Sequence, residues 1–96
     1  MSHFDGTYNR SKEWRMFSYL VEQHVNNYTI PQYGDAPDDE VEGWTPEMCA
    51  MAIQKYTKRF SSNQRGTQET RKDMLKIAHF ACLAYWKLKE RDENDT

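Results

Sequence analysis

Apolar residues recur at helical spacing in three separate stretches, and no stretch alternates apolar and polar positions as a half-buried strand would. The most apolar runs from Gly66 to Leu88 and predicts one long helix over 67–90. At about 100° per residue, Met74, Ile77, Ala78, Ala81, Tyr85 and Leu88 share one face, with Leu75 and Cys82 on its edge. Phe80, Leu83 and Trp86 follow i, i+3, i+6 on the other side. A helix with one neighbour needs one stripe, so two stripes predict cover on two sides. The other two helices could supply it, or a second copy of the chain in a homodimer.

A first helix is expected over 11–28, capped by Ser11, with Trp14, Phe17, Leu20, Val21, His24, Val25 and Tyr28 on one side. His24 reads as a core histidine with one ring nitrogen satisfied. A second helix is expected over 46–60. Thr45 caps it, Pro46 takes the first helical position, and Glu47 suits the positive end of the dipole. Its core face is Cys49, Ala52, Ile53, Tyr56 and Phe60. Between the two lies the acidic stretch 29–44, broken by Pro31 and Pro37 and pinned by Ile30, Tyr33, Val41 and Trp44. Thr67 is expected to cap the third helix. Residues 1–10 read as a polar arm and 91–96 as a polar tail. The fold class is all-α: a three-helix bundle with a long, central C-terminal helix, in one domain of 96 residues.

Composition changes this picture little, but charge placement changes it more. Net charge is −2, so no global field draws the chain to nucleic acid or membrane. Residues 35–47 hold six acids and no base. Residues 55–76 hold seven bases and only two acids, Glu69 and Asp73. These zones face each other, face water, or mark contacts. Two isolated cysteines, Cys49 and Cys82, read as buried free thiols of a reducing compartment. No apolar run approaches 18 residues, and the first residues lack a basic segment followed by an apolar one. A cytoplasmic protein with no membrane partner is therefore expected.

Three constellations carry chemistry. Lys58, Arg59, Arg65, Gly66, Thr67 and Arg71 cluster where the second helix hands over to the third. Free N–H groups and arginine forks there suit a phosphate, and the same bases would also serve as a solvated helix end paired to nearby acids. Met48, Met51 and Lys55 form an adaptable stripe that, with Phe80, Leu83 and Trp86, suits a partner interface. Glu69 and Asp73, at i and i+4, could reach one Mg²⁺; otherwise no cofactor is expected. His24, Cys49, His79 and Cys82 are zinc-ligand types without zinc-site spacing.

The run AIQKYTKRF…NQRG…E…KDMLKIAHFACLAY, from Ala52 to Tyr85, resembles short bacteriophage and prophage helical proteins. More distantly it is similar to MazG-like nucleotide pyrophosphohydrolases. That family is all-α, oligomeric and Mg²⁺-dependent, with an E-x-x-E pair on one helix and an E-x-x-D pair on another. Here Glu69 and Asp73 stand one residue further apart than E-x-x-D, and the acidic quartet is incomplete. The resemblance implies a phage-type origin more than any activity; with the basic corner and the Met/Lys stripe, the expected function is a small phage-type accessory protein that binds a nucleotide, nucleic acid or host protein. The alternatives are a divergent Mg²⁺-dependent pyrophosphohydrolase, and a protein-binding inhibitor that uses the acidic loop 35–47. The residues favour a binding protein over an enzyme.

Overall fold

The computed structural model describes residues 8–62 and 64–94. Within them the chain is all-α, with three helical rods and no strand. The first rod is α1 (Asn9–His24), a π turn (Val25–Thr29) and α2 (Ile30–Tyr33) in unbroken succession. The second is α3 (Pro46–Lys58) and the third is α4 (Thr67–Asn94). Most of the expected arm, including Met1 to Thr7, lies outside the described residues, as do the last two residues of the tail. No helix among the described residues is long and apolar enough to cross a membrane.

The first rod outruns its prediction at both ends. It starts at Asn9, so Ser11 lies inside its first turn and caps nothing. It also runs through Pro31. Proline has no N–H, and in a regular α-helix its ring collides with the carbonyl four residues back. The π turn resolves this: Ile30 donates to Val25, five residues back, and the ladder widens just before Pro31. The rod stops at Gly34, whose φ of 97° reverses the chain. A Cβ at Gly34 would stand 3.4 Å from the Asp39 backbone, so the loop closes tightly there.

The start of α3 is as expected. Pro46 is in its first turn, and the Thr45 hydroxyl accepts from the Met48 N–H at 3.1 Å. Its end comes early. Arg59 leaves helical geometry, and Phe60 sits exposed in the turn instead of on a core face. The start of α4 differs in a smaller way. Thr67 is its first helical residue, and the preceding Gly66 carbonyl accepts from the Thr70 N–H at 3.2 Å, so Thr67 is not the cap. At about 1.5 Å per residue the 28 residues of α4 make a helix of roughly 40 Å.

The core is small. Val41, Cys49, Tyr56 and Phe80 are its buried apolar side chains among the described residues. Phe80 is 6% exposed and sits between two rings: Trp44 at 5.7 Å and 7° between planes, and Tyr56 at 6.2 Å and 21°. Phe80 therefore belongs to the inner face of α4, not to an outer contact stripe. The expected inner face is turned out in its C-terminal part, where Ala81, Cys82, Tyr85 and Leu88 are exposed, while Met74, Leu75, Ile77 and Ala78 are half-buried. The inner side instead includes Asp73, the most buried charged side chain, at 1% exposed. Its carboxylate accepts two bonds from Arg59, 2.8 Å from Nε and 2.6 Å from Nη2, and lies 3.7 Å from Lys76 Nζ. A neutralised aspartate can face inward.

The main neighbour of α4 is α3; α1 meets α4 less extensively. The N-terminal part of α1 leaves Trp14, Met16, Tyr19 and Leu20 exposed. The radius of gyration is 15.3 Å, against about 12.5 Å for a compact chain of this length. The acidic loop is held at its far end by α4, where Arg91 grips Glu47 with two bonds of 3.0 and 2.8 Å and Lys87 donates to the Glu42 carbonyl at 3.1 Å. The Arg91 fork holds the Glu47 carboxyl well below its ordinary range, at about 2.

Each core side chain contributes about 1.5–3 kcal/mol by burial, so one ion pair is a large share of the net stability. Arg59→Ala strands a buried carboxylate and is expected to cost about 2–3 kcal/mol in urea unfolding, discounted from the fully buried case because Arg59 is one-third exposed. Arg59→Lys, which keeps the charge and loses the fork, should cost less than Arg59→Ala but still be measurable. A loss below about 0.5 kcal/mol for Arg59→Ala would remove the pair from this role.

Candidate functional site

Beside the Arg59–Asp73 pair a cavity of about 370 Å³ opens where all three rods meet. The first rod supplies His24, Tyr28 and Tyr33; the π turn carries Tyr28 into this wall. From α3 come Lys55 and Tyr56, and from the residue just past its end Arg59, so that a base, a ring and a second base are presented together. From α4 come Lys72, Lys76 and His79, at i, i+4 and i+7 on one face, with Phe80 behind them. Arg65 and Glu69 close the rim.

The charge is one-sided. Lys55, Arg59, Arg65, Lys72 and Lys76 surround two carboxylates, Glu69 and Asp73, leaving the cluster three charges positive in a chain whose net charge is −2. Three of the cations share one aromatic ring. Above Tyr56 stand Arg59 at 5.0 Å, Lys76 at 5.3 Å and Lys55 at 5.4 Å from the centroid. Lys72 stands 5.9 Å from the centre of the Tyr28 ring, and the His24 imidazole stacks on that ring at 5.2 Å.

Burial and this field set the protonation states. Burial comes first in pushing the His24 pKa below its ordinary value, and Lys76, His79 and Lys72 add to it. Burial also lowers His79, with Asp39 opposing. Both imidazoles are therefore neutral at pH 7 and can donate and accept hydrogen bonds. Burial raises the Tyr56 phenol, which stays protonated.

The sequence-predicted phosphate corner is divided by the fold. Arg59 and Arg65 reach the cavity, the first bound to Asp73 and the second 3.5 Å from Glu69. Lys58 faces a shallow groove beside Met51 on the other side of α3. Gly66, Thr67 and Arg71 are exposed and line no part of the cavity. Of the expected interface, Lys55 and Leu83 line the cavity and Phe80 forms its back wall. Met48, Met51 and Trp86 are exposed, and Trp86 meets Tyr85 edge to face at 5.0 Å. Glu69 lies 3.5 Å from Arg65 and 3.6 Å from Lys72, and Asp73 takes Arg59 and Lys76. A Mg²⁺ on this pair would have to displace cations from both carboxylates. Among the described residues no three His, Cys, Asp or Glu side chains gather to hold a metal.

Sequence reasoning missed Tyr28, Tyr33, Lys72, Lys76 and the histidines as one site. A usable signal was present: Lys72, Lys76, His79 and Leu83 form a basic stripe at i, i+4, i+7 and i+11 between two apolar ones.

The lowered histidines make folding exclude protons. Their contribution to stability is full above the unfolded value of 6.5 and is lost as pH falls through the depressed folded value. A ¹H–¹³C NMR titration should give midpoints below 6.5 for His24 and His79, and Lys76→Gln should move the His24 midpoint upward. A His24 midpoint above 6.5 in the wild type would contradict the positive field.

No family model, curated protein sequence or solved structure matches the chain.

Proposed function

We propose that the protein is a small binding protein whose cavity takes a phosphate-bearing aromatic molecule of mononucleotide class. The supporting observation is the cluster of cations around aromatic walls. Five bases, three of them on the Tyr56 ring, gather around one cavity of a net-acidic chain, where an anion gains strongly. The lysine and arginine heads suit the phosphate. The rings of Tyr28 and Tyr33 suit the flat base, and neutral His24 and His79 can read its polar edge. At about 370 Å³ the space suits one small ligand better than a strand of nucleic acid.

A pyrophosphohydrolase has less support. It needs carboxylates available to a bridging metal, and both acids here are held by cations. The acidic loop as an inhibitor surface rests on charge alone. A phage-type accessory role, the setting that the resemblance implies, is compatible with a binder that does no chemistry.

Calorimetry with a panel of nucleoside monophosphates and diphosphates at low salt tests the reading. Wild type should bind at least one of them, with affinity falling as salt rises. Lys72→Ala combined with Lys76→Ala should weaken it by about tenfold or more, whereas Lys58→Ala and Arg71→Ala should leave it within about twofold. No heat with any nucleotide, or equal losses from the bases outside the cavity, would end the proposal.

A further inference from the structure

The two carboxylates beside the cavity are held in different ways. Asp73 is 1% exposed and takes two short hydrogen bonds from Arg59. Glu69 sits on the rim with its side chain 24% exposed, 3.5 Å from Arg65 Nη2 and 3.6 Å from Lys72 Nζ. Both distances exceed those of a good N–H···O bond. Asp73 cannot leave Arg59 without stranding a buried charge. Glu69 can turn to water from where it stands, because a rim ion pair is weak and its carboxylate is close to solvent.

The cations divide in the same way. Arg59 is committed to Asp73, and Lys76 lies 3.7 Å from the same carboxylate. Lys55 stands over the Tyr56 ring. Arg65 and Lys72 meet Glu69 instead, one at each carboxylate oxygen. An arginine and a lysine spaced to hold one carboxylate also suit one phosphate, which offers the same kind of acceptor and more charge. Lys72 is also 5.9 Å from the centre of the Tyr28 ring, so this seat adjoins an aromatic wall.

We infer that Glu69 is the resident anion of the cavity: it occupies the seat of Arg65 and Lys72 in the free protein and yields it to the phosphate of the ligand. This rests on the nucleotide reading of the cavity and adds the kind of phosphate that enters. A phosphodiester brings one negative charge and only exchanges it for that of Glu69. A terminal phosphomonoester carries close to two at pH 7.5, its second pKa being about 6, and gains over the carboxylate it replaces. The ligand class is therefore a nucleotide with a free terminal phosphate, and Glu69 is the residue that turns cyclic and internucleotide phosphates away.

Calorimetry at pH 7.5 and low salt tests it, with a nucleoside 5′-monophosphate and the 3′,5′-cyclic monophosphate of the same base, for each common base. The weaker ligand is read by competition, and circular dichroism confirms helicity. Wild type should prefer the 5′-monophosphate by about tenfold or more. Glu69→Gln should tighten both ligands by a similar factor, about fivefold, because the same carboxylate no longer has to be moved for either. Asp92→Asn, at an exposed acid near the far end of α4, should leave both within about twofold. A 5′-monophosphate that binds wild type and Glu69→Gln equally overturns the inference and leaves the cavity reading standing. So does a gain much larger for the 5′-monophosphate than for the cyclic one, since Glu69 would then stay in place and repel each ligand in proportion to its charge. Equal binding of the two ligands by wild type overturns the phosphomonoester preference. No heat from either protein with any nucleotide ends the cavity reading and this inference together.

Discussion

The bidentate bond from Arg59 to Asp73 is the constraint on which the rest of the molecule depends. It joins the C-terminal end of α3 to the first turns of α4. It permits a carboxylate to sit at 1% exposure on the inner side of α4. With Asp73 inward, Phe80 two turns later is inward too, between Trp44 and Tyr56. Lys87 and Arg91 then fall on the side where the acidic loop and the start of α3 await them. The same pair bounds the cavity and fixes Arg59 over Tyr56.

The number of helical rods, the Thr45–Pro46 start of α3 and the start of α4 at Thr67 were legible because local chemistry decides them, whereas α4 runs to Asn94, four residues past its expected end and through most of the expected tail. Caps, proline positions and period act within a few residues. The facing of α4 was not legible. A rule that puts acids outside predicts Met74, Ala81 and Tyr85 as the inner side, and it fails wherever a distant base neutralises an acid. Arg59 and Asp73 are 14 positions apart, and nothing short-range links them. The cavity was half legible for the same reason. Arg59, Arg65 and Lys55 stood out as bases, but Tyr28 and Tyr33 lay at and beyond the expected end of the first helix, where the prolines marked a loop.

The small core and the charged cavity are two aspects of one economy. Large rings do the packing that many aliphatic side chains do elsewhere, and their faces remain available to cations. Tyr56 is buried yet carries three bases around its ring, so one residue serves both the interior and the site. The arrangement also explains why the histidines are held neutral: the field that would attract an anion repels a proton.

The π turn has a further consequence for how such a site changes over time. A π turn holds about one residue more than an α turn, so the helical segments on its two sides are out of phase by roughly 100°. Tyr33 faces the cavity because of that offset, not because of the stripe that begins at Trp14. Removing one residue between Val25 and Thr29 would keep every pocket side chain in the sequence and swing Tyr33 and its neighbours to another bearing. In this rod, a single-residue change in length re-aims one wall of the cavity in a way that substitution at the wall itself does not.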